Sequence, residues 1–189
     1  MELKDYISSI VKIDDEILDE LIRNFNYLEL KNKDHFLVNG NNSDKIGYLK
    51  KGICRGYYID KNGNDLTTNF FVAPTFISDY PAYIYNQNCQ INIQVLENCE
   101  IELATFSFLN IIADKHSSVL KFFKIIVDRA YAFQQSRQVS FINKDATERY
   151  LDLIEKRKAV FDRVSQIYIA SYLGITPQSL SRIRKSLSL

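Results

Sequence analysis

Residues 166–184 read Gln-Ile-Tyr-Ile-Ala-Ser-Tyr-Leu-Gly-Ile-Thr-Pro-Gln-Ser-Leu-Ser-Arg-Ile-Arg, and no other stretch of the 189-residue chain restricts the fold so tightly. Ala170 sits where two steeply crossing helices leave room for only a small side chain. Gly174 can adopt the left-handed backbone that ends a first helix in a tight turn. Thr176 is placed to cap a second helix, and Pro177 takes its first position, where a missing N–H is tolerated. Ile169, Leu173, Ile175, Leu180 and Ile183 have the spacing of a shared core beneath the turn. A generic helical hairpin does not need all of these in one register, so the pattern predicts a helix-turn-helix.

A helix-turn-helix of this kind places the start of its second helix in the major groove of DNA. Leu180 and Ile183 then point inward, which turns Gln178, Ser179 and Arg182 towards base edges. Arg182 has the fork to bridge guanine O6 and N7, and Gln178 suits adenine N6 and N7. Thr176, Ser181, Arg184 and Lys185 are expected on backbone phosphates. The competing reading of Arg182 is a solvated charge on an exposed helix face. Charge distribution favours an anionic partner: residues 144–189 carry 9 Lys/Arg against 5 Asp/Glu, residues 1–143 carry 15 against 18, and no acid follows Asp162. Little chain follows Lys185, so affinity is expected to depend on two modules presented together.

Upstream the texture is different. From about residue 26 to 106, short β-rich runs alternate with turn signals, the clearest being Asn62-Gly63 between Ile53–Ile59 and residues 66–72. Residues 90–95 alternate with period two, as a strand with one wet face does. Many closely spaced strands without intervening long helices predict an antiparallel barrel or jelly roll. Near its start, Asp14 is a candidate N-cap for a helix bearing Ile17, Leu18, Leu21, Ile22 and Phe25.

Between these regions, residues 117–143 contain no Gly or Pro and allow one helix of about seven turns. Val119, Phe123, Ile126, Ala130 and Phe133 recur at a heptad-like spacing, and Leu120, Val127 and Tyr131 form a second stripe. Two apolar faces call for two partners: the chain's own barrel and the same helix of a second subunit. The alternative is a long helix buried within one chain. Asp145 and Glu148 then form a capping-box pattern opening a further helix, with Tyr150, Leu151, Leu153 and Ile154 as its core.

The whole is predicted to be α+β: residues 1–116 a β jelly-roll sensor domain, 117–143 a long dimerisation helix, 144–189 a helix-turn-helix domain. This order, with the run from Ile169 to Ile183, resembles the cyclic-AMP receptor protein/fumarate-nitrate regulator (Crp/Fnr) family. The resemblance implies a homodimeric transcription regulator, double-stranded DNA as partner, and a cyclic-nucleotide-binding-like sensor. It implies that Arg182 is the base-reading arginine, and it places the effector pocket at Ser78, Asp79, Tyr80, Cys89 and Gln90. Pro177 and Gln178 stand where the best-known member has arginine and glutamate, so its operator does not carry over.

The sensor departs from that family's pattern. Its nucleotide pocket uses a Gly-Glu pair and an arginine that neutralises the cyclic phosphate. Here Asp79 is the nearest acid, and no Lys or Arg occurs between Lys61 and Lys115. Burying a phosphate without a cation is costly, so the pocket is expected to be degenerate and not to bind cyclic AMP. An unknown neutral effector, or none, is expected.

Other chemistries find little to work with. Cys54, Cys89 and Cys99 have no CxxC spacing, too few thiols for an iron–sulfur cluster, and no disulfide framework. His35 and His116 are the only histidines, so neither a metal centre nor a haem is expected, and no cofactor. Asp79, Glu97 and Glu102 lack a partner constellation, so no enzyme is expected. The acid-bearing start and the lack of an apolar run of about 18 residues predict a cytoplasmic protein without a membrane span. The alternative function is a dimeric scaffold or small-molecule sensor with little sequence-specific DNA binding, whose C-terminal helices contact a protein such as RNA polymerase.

Overall fold

In the computed structural model, which describes residues 1–187, the strand-rich region forms two four-stranded antiparallel sheets packed face to face. One sheet has the order β1 (Asn26–Leu30), β8 (Cys99–Thr105), β3 (Lys45–Lys51), β6 (Thr75–Ser78). The other runs β2 (His35–Leu37), β7 (Asn92–Val95), β4 (Ile53–Ile59), β5 (Asp65–Val72). Leu49, Ile77 and Ile101 meet Cys54, Ile93 and Val95 between them, all without solvent exposure. The β4–β5 hairpin closes through a five-residue loop rather than a two-residue turn. Asp60 Oδ1 accepts from the backbone N–H groups of Asn62 and Asn64 at 2.8 and 2.9 Å, and Gly63 supplies the left-handed residue at φ +82°.

A second core lies on the outer face of the β1–β8–β3–β6 sheet. There Ile46, Tyr48 and Ala104 are covered by α1 (Leu3–Ser8), α2 (Asp15–Ile22), α4 (Phe106–Lys115) and the start of α5 (Ser117–Asn143). Asp14 occupies the N-cap of α2, but its side chain makes no capping bond. A short helix, α3 (Tyr80–Ile84), follows β6.

Helix α5 spans 27 residues, about 40 Å at the usual rise. Its packing divides the expected seam. Val119 is fully buried in the chain's own core, and Phe123 and Ile126 pack against that core half-buried. Phe133 lies beneath the Arg157 guanidinium. Successive helical residues advance by 100°, so these positions share the side turned towards the chain's own sheets. Further along, Ala130 and Phe133 are exposed, as are Leu120 (57%) and Tyr131 (66%) of the second stripe, with Val127 half-buried between them.

The C-terminal part comprises α6 (Ala146–Lys156), α7 (Lys158–Arg163), α8 (Gln166–Leu173) and α9 (Pro177–Ser186). The capping box opens α6: Asp145 accepts from Glu148 N at 2.9 Å, and Glu148 accepts from Asp145 N at 2.8 Å. Tyr150 and Leu153 are buried, but Leu151, expected in the core, is 45% exposed. The last two positions of the 144–189 segment lie outside the described residues.

Candidate nucleic-acid interface

The turn between α8 and α9 has the conformation its residues require. Gly174 adopts φ +71°, ψ +31°. The N–H of Ile175 donates to Ala170 O at 3.0 Å and that of Gly174 to Ser171 O at 3.0 Å, the paired bonds of a Schellman ending. A β-carbon at position 174 would stand 3.0 Å from the Phe141 ring, so glycine serves both backbone and packing. Thr176 Oγ1 accepts from Ser179 N at 3.1 Å, capping α9. Ile169, Ala170, Leu173 and Leu180 are buried beneath the turn.

Two arginines tie the turn to the helices before it. Arg137, on α5, donates to Tyr172 O at 2.9 Å, and Arg149, on α6, donates to Leu173 O at 2.9 Å. They thereby satisfy carbonyls at the end of α8 that have no partner in their own helix. The Phe141 ring lies beneath both guanidinium groups, at 4.7 and 4.5 Å.

On α9, Gln178, Ser181, Arg182 and Lys185 are exposed. Ser179 is half-buried, and its hydroxyl accepts from Arg182 Nη2 at 3.2 Å and from the Thr176 hydroxyl at 3.1 Å. Ser179 thus holds the Arg182 guanidinium in place. Of the other expected phosphate contacts, Thr176 is exposed with its hydroxyl engaged in the cap, and Arg184 is half-buried and turned inward beside the buried Tyr150 phenol, which burial pushes up and Arg184 draws back down.

The first helix of the pair rests on the β-sandwich, a contact without any local sequence signal. Strand β4 is buried continuously from Ile53 to Gly56: Cys54 faces the inter-sheet core, while Ile53 joins Phe70, Ala170 and Tyr172 under the C-terminal helices. Arg55, only 3% exposed, donates to Asp65 at 2.8 Å, Gln94 at 3.0 Å and Thr67 at 3.3 Å. Its guanidinium is sandwiched between Tyr57 and Tyr168, 4.1 and 3.7 Å from the ring centroids. Ser171 Oγ accepts from Thr67 N at 2.9 Å and donates to Asp65 O at 3.2 Å, and Arg163 pairs with Glu97. The buried Arg55 guanidinium is tolerable because Asp65, Gln94, Thr67 and the two tyrosine rings converge on it.

No protein-family model matches the sequence, and no curated protein matches it. Solved structures do. The c-di-GMP-responsive global regulator CLP of Xanthomonas campestris superimposes with a TM-score of 0.73 at 12% identity, over 93% of this chain and 92% of that one. FixK2 of Bradyrhizobium japonicum gives 0.75 at 13%, over 87% and 84%. A regulator assigned to the Crp/Fnr family from Eubacterium rectale gives 0.74 at 10%, over 93% and 84%. The chain has the Crp/Fnr fold.

Within this Crp/Fnr fold, the residues expected to form an effector pocket are drawn together but close on themselves. Asp79 is 3% exposed. One carboxylate oxygen accepts from the N–H groups of Gln90 and Ile91 at 2.7 and 3.2 Å, the other from Ala82 N at 3.4 Å. Cys89 is buried, and burial together with the Asp79 charge pushes its thiol up. Ser78 pairs with Ile46 in the sheet, and Tyr80 packs 5.5 Å from the Phe106 ring. The fold also joins two cysteines that the sequence leaves far apart: Cys54 Sγ and Cys99 Sγ lie 4.0 Å apart, both fully buried. Among the described residues no three His, Cys, Asp or Glu side chains cluster as metal ligands, and no helix is long and apolar enough to cross a membrane.

Proposed function

We propose that this chain is a homodimeric, sequence-specific DNA-binding transcription regulator of the Crp/Fnr type, without enzymatic activity, acting in the cytoplasm. The observation that carries the reading is the outward face of α9. Gln178 and Arg182 stand exposed beside Ser181 and Lys185, on a helix whose inner face and turn are fully committed to packing. That combination supports base reading by Gln178 and Arg182, with Ser181 and Lys185 on phosphates and Ser179 as a positioning residue. The exposed Leu120 and Tyr131, with half-buried Val127 between them, support pairing of two α5 helices, which would set the spacing of two recognition helices. Arg137 and Arg149 would transmit that spacing, since they join α5 and α6 to the end of α8.

The effector pocket of this regulator is degenerate. CLP is a c-di-GMP-responsive regulator. In this chain the Asp79 carboxylate already takes the backbone donors that an incoming anion would need, and a second negative charge beside it would be repelled. Cyclic AMP is therefore expected to give no heat of binding in calorimetry at micromolar concentrations.

Selection of bound sequences from a random DNA pool, with purified protein and no added ligand, tests the reading. The expected product is a two-fold symmetric site with half-sites about 34 Å apart. Binding should weaken steeply with salt, as phosphate contacts require. A pool that returns no enriched sequence, with binding indifferent to salt, would overturn it in favour of a protein-binding scaffold.

A further inference from the structure

Cys54 and Cys99 stand 45 positions apart in the chain, on β4 of one sheet and β8 of the other, and the fold brings their Sγ atoms to 4.0 Å. Both are free thiols, in hydrogen-bonding contact with each other. The third cysteine is engaged elsewhere: the Cys89 thiol donates to Asn42 O at 3.4 Å. Around the pair the core is apolar, with Leu49, Ile93, Val95 and Ile101 packed there without solvent exposure. Cys99 Sγ also lies 3.4 Å from Glu97 O and 3.7 Å from Ile53 O. The backbone beside it belongs to two turns that reach the surface. Lys51 and Asn98 are exposed, and Gly52 approaches so closely that a β-carbon at position 52 would collide with Cys99 Sγ.

Two sulfurs at this separation can share a soft metal ion or bond to each other. A metal would need both as thiolates. Two thiolates around a monovalent ion leave a net negative charge in an apolar core, and the polar atoms beside Cys99 are carbonyl oxygens, which repel it. A disulfide is neutral and needs no polar partner. To form it the sulfurs close from 4.0 Å to about 2.05 Å, a shift of about 1 Å for each side chain. The pair also has a chemical direction. The hydrogen bond between them draws the Cys99 thiol down, whereas that bond and burial push Cys54 up. The thiolate therefore forms first at Cys99, beside the surface turns.

We propose that Cys54 and Cys99 form a reversible disulfide on exposure to peroxide, a covalent cross-link between the two sheets of the sandwich. The Cys99 thiolate attacks one oxygen of hydrogen peroxide and breaks the O–O bond, giving a sulfenic acid and hydroxide. The Cys54 thiolate then attacks the Cys99 sulfur, forming the S–S bond, breaking the S–O bond and expelling a second hydroxide. The protons given up by the two thiols turn both hydroxides into water. Two thiols and one peroxide thus yield one disulfide and two waters, with the sulfurs oxidised and the peroxide oxygens reduced. Oxidant reaches Cys99 when the turns beside it open locally. In a reducing compartment such a bond is transient, so it responds to oxidant rather than holding the fold permanently. Cys54 lies between Ile53 and Arg55, the β4 residues that meet the C-terminal helices, and the cross-link would fix the strand on which those helices rest. The proposal does not depend on the DNA-binding reading.

The test is treatment of the reduced full chain with hydrogen peroxide, then alkylation in denaturant and peptide mapping by mass spectrometry without reductant. The expected product is a Cys54–Cys99 linked peptide within one chain, lost on adding dithiothreitol, with Cys89 alkylated throughout. Cys54→Ser should instead leave a sulfenic acid on Cys99 that dimedone traps, while Cys89→Ser should cross-link like the parent. Closing so long a loop should also move the urea midpoint of the oxidised chain above that of the reduced one. Should a serine variant misfold, the parent's own peptide map still decides. Cys54 and Cys99 both alkylated after prolonged exposure to excess peroxide would overturn the proposal. So would a link through Cys89, a link between chains, or Cys99 driven to the sulfinic acid with Cys54 left free.

Discussion

Replacing Arg55 with methionine tests whether the helix-turn-helix is held on the sandwich by one buried cation. Methionine keeps the apolar stem but removes the guanidinium from between Tyr57 and Tyr168. Two desolvated cation–π contacts at 4.1 and 3.7 Å are together worth about 1–2 kcal/mol. The Thr67 hydroxyl, in a residue only 2% exposed, loses a donor at a cost of about 1 kcal/mol. The ion pair adds less than its 2.8 Å length suggests: the Asp65 side chain is 35% exposed and water would replace its partner, so about 0.5 kcal/mol is a fair share. The expected loss is about 3 kcal/mol, read by urea unfolding at fixed protein concentration. In a double-mutant cycle, Arg55→Met and Tyr168→Leu should show a coupling of about 1 kcal/mol. A loss under about 1 kcal/mol, or strictly additive effects, would refute the argument that Arg55 joins the two parts.

Gly174→Ala should lower stability by about 1–2 kcal/mol, because an alanine at φ +71° is strained and its β-carbon meets Phe141; an unchanged melting temperature would contradict the left-handed turn. His35 is held below its ordinary value of 6.5, first by burial and then by the Arg55 charge. The unfolded chain therefore binds the proton more readily, and stability present above pH 6.5 should be lost as pH falls below it. In His35→Gln that part of the pH profile should flatten; an identical profile would rule His35 out as its source. Leu120→Glu with Tyr131→Glu should give a monomer in sedimentation at concentrations where the parent is dimeric, and a dimer that survives both would move the interface off this stripe. Arg182→Ala should reduce discrimination between the selected site and random DNA by about 1–3 kcal/mol, whereas Lys185→Ala should weaken both alike. Equal weakening by Arg182→Ala would make it a phosphate contact.

Local patterns in the sequence were enough for features stabilised by neighbouring residues. The left-handed Gly174, the Thr176 cap with Pro177 behind it, and the Asp145–Glu148 capping box all form within a few residues of themselves, so their spacing along the chain is their geometry. The uninterrupted run that became α5 is of the same kind. The tertiary fold decided the side each residue faces. A heptad spacing identifies a stripe but not its partner, and Val119 turned to the chain's own core because sheet and helices close around it there. Arg184 has the spacing of a phosphate contact, but the fold lays it beside Tyr150, thirty-four positions earlier. The Arg55 junction and the Cys54–Cys99 contact join residues from distant strands and helices. No periodicity records them, because long-range packing brings together side chains whose separation in sequence carries no local energy.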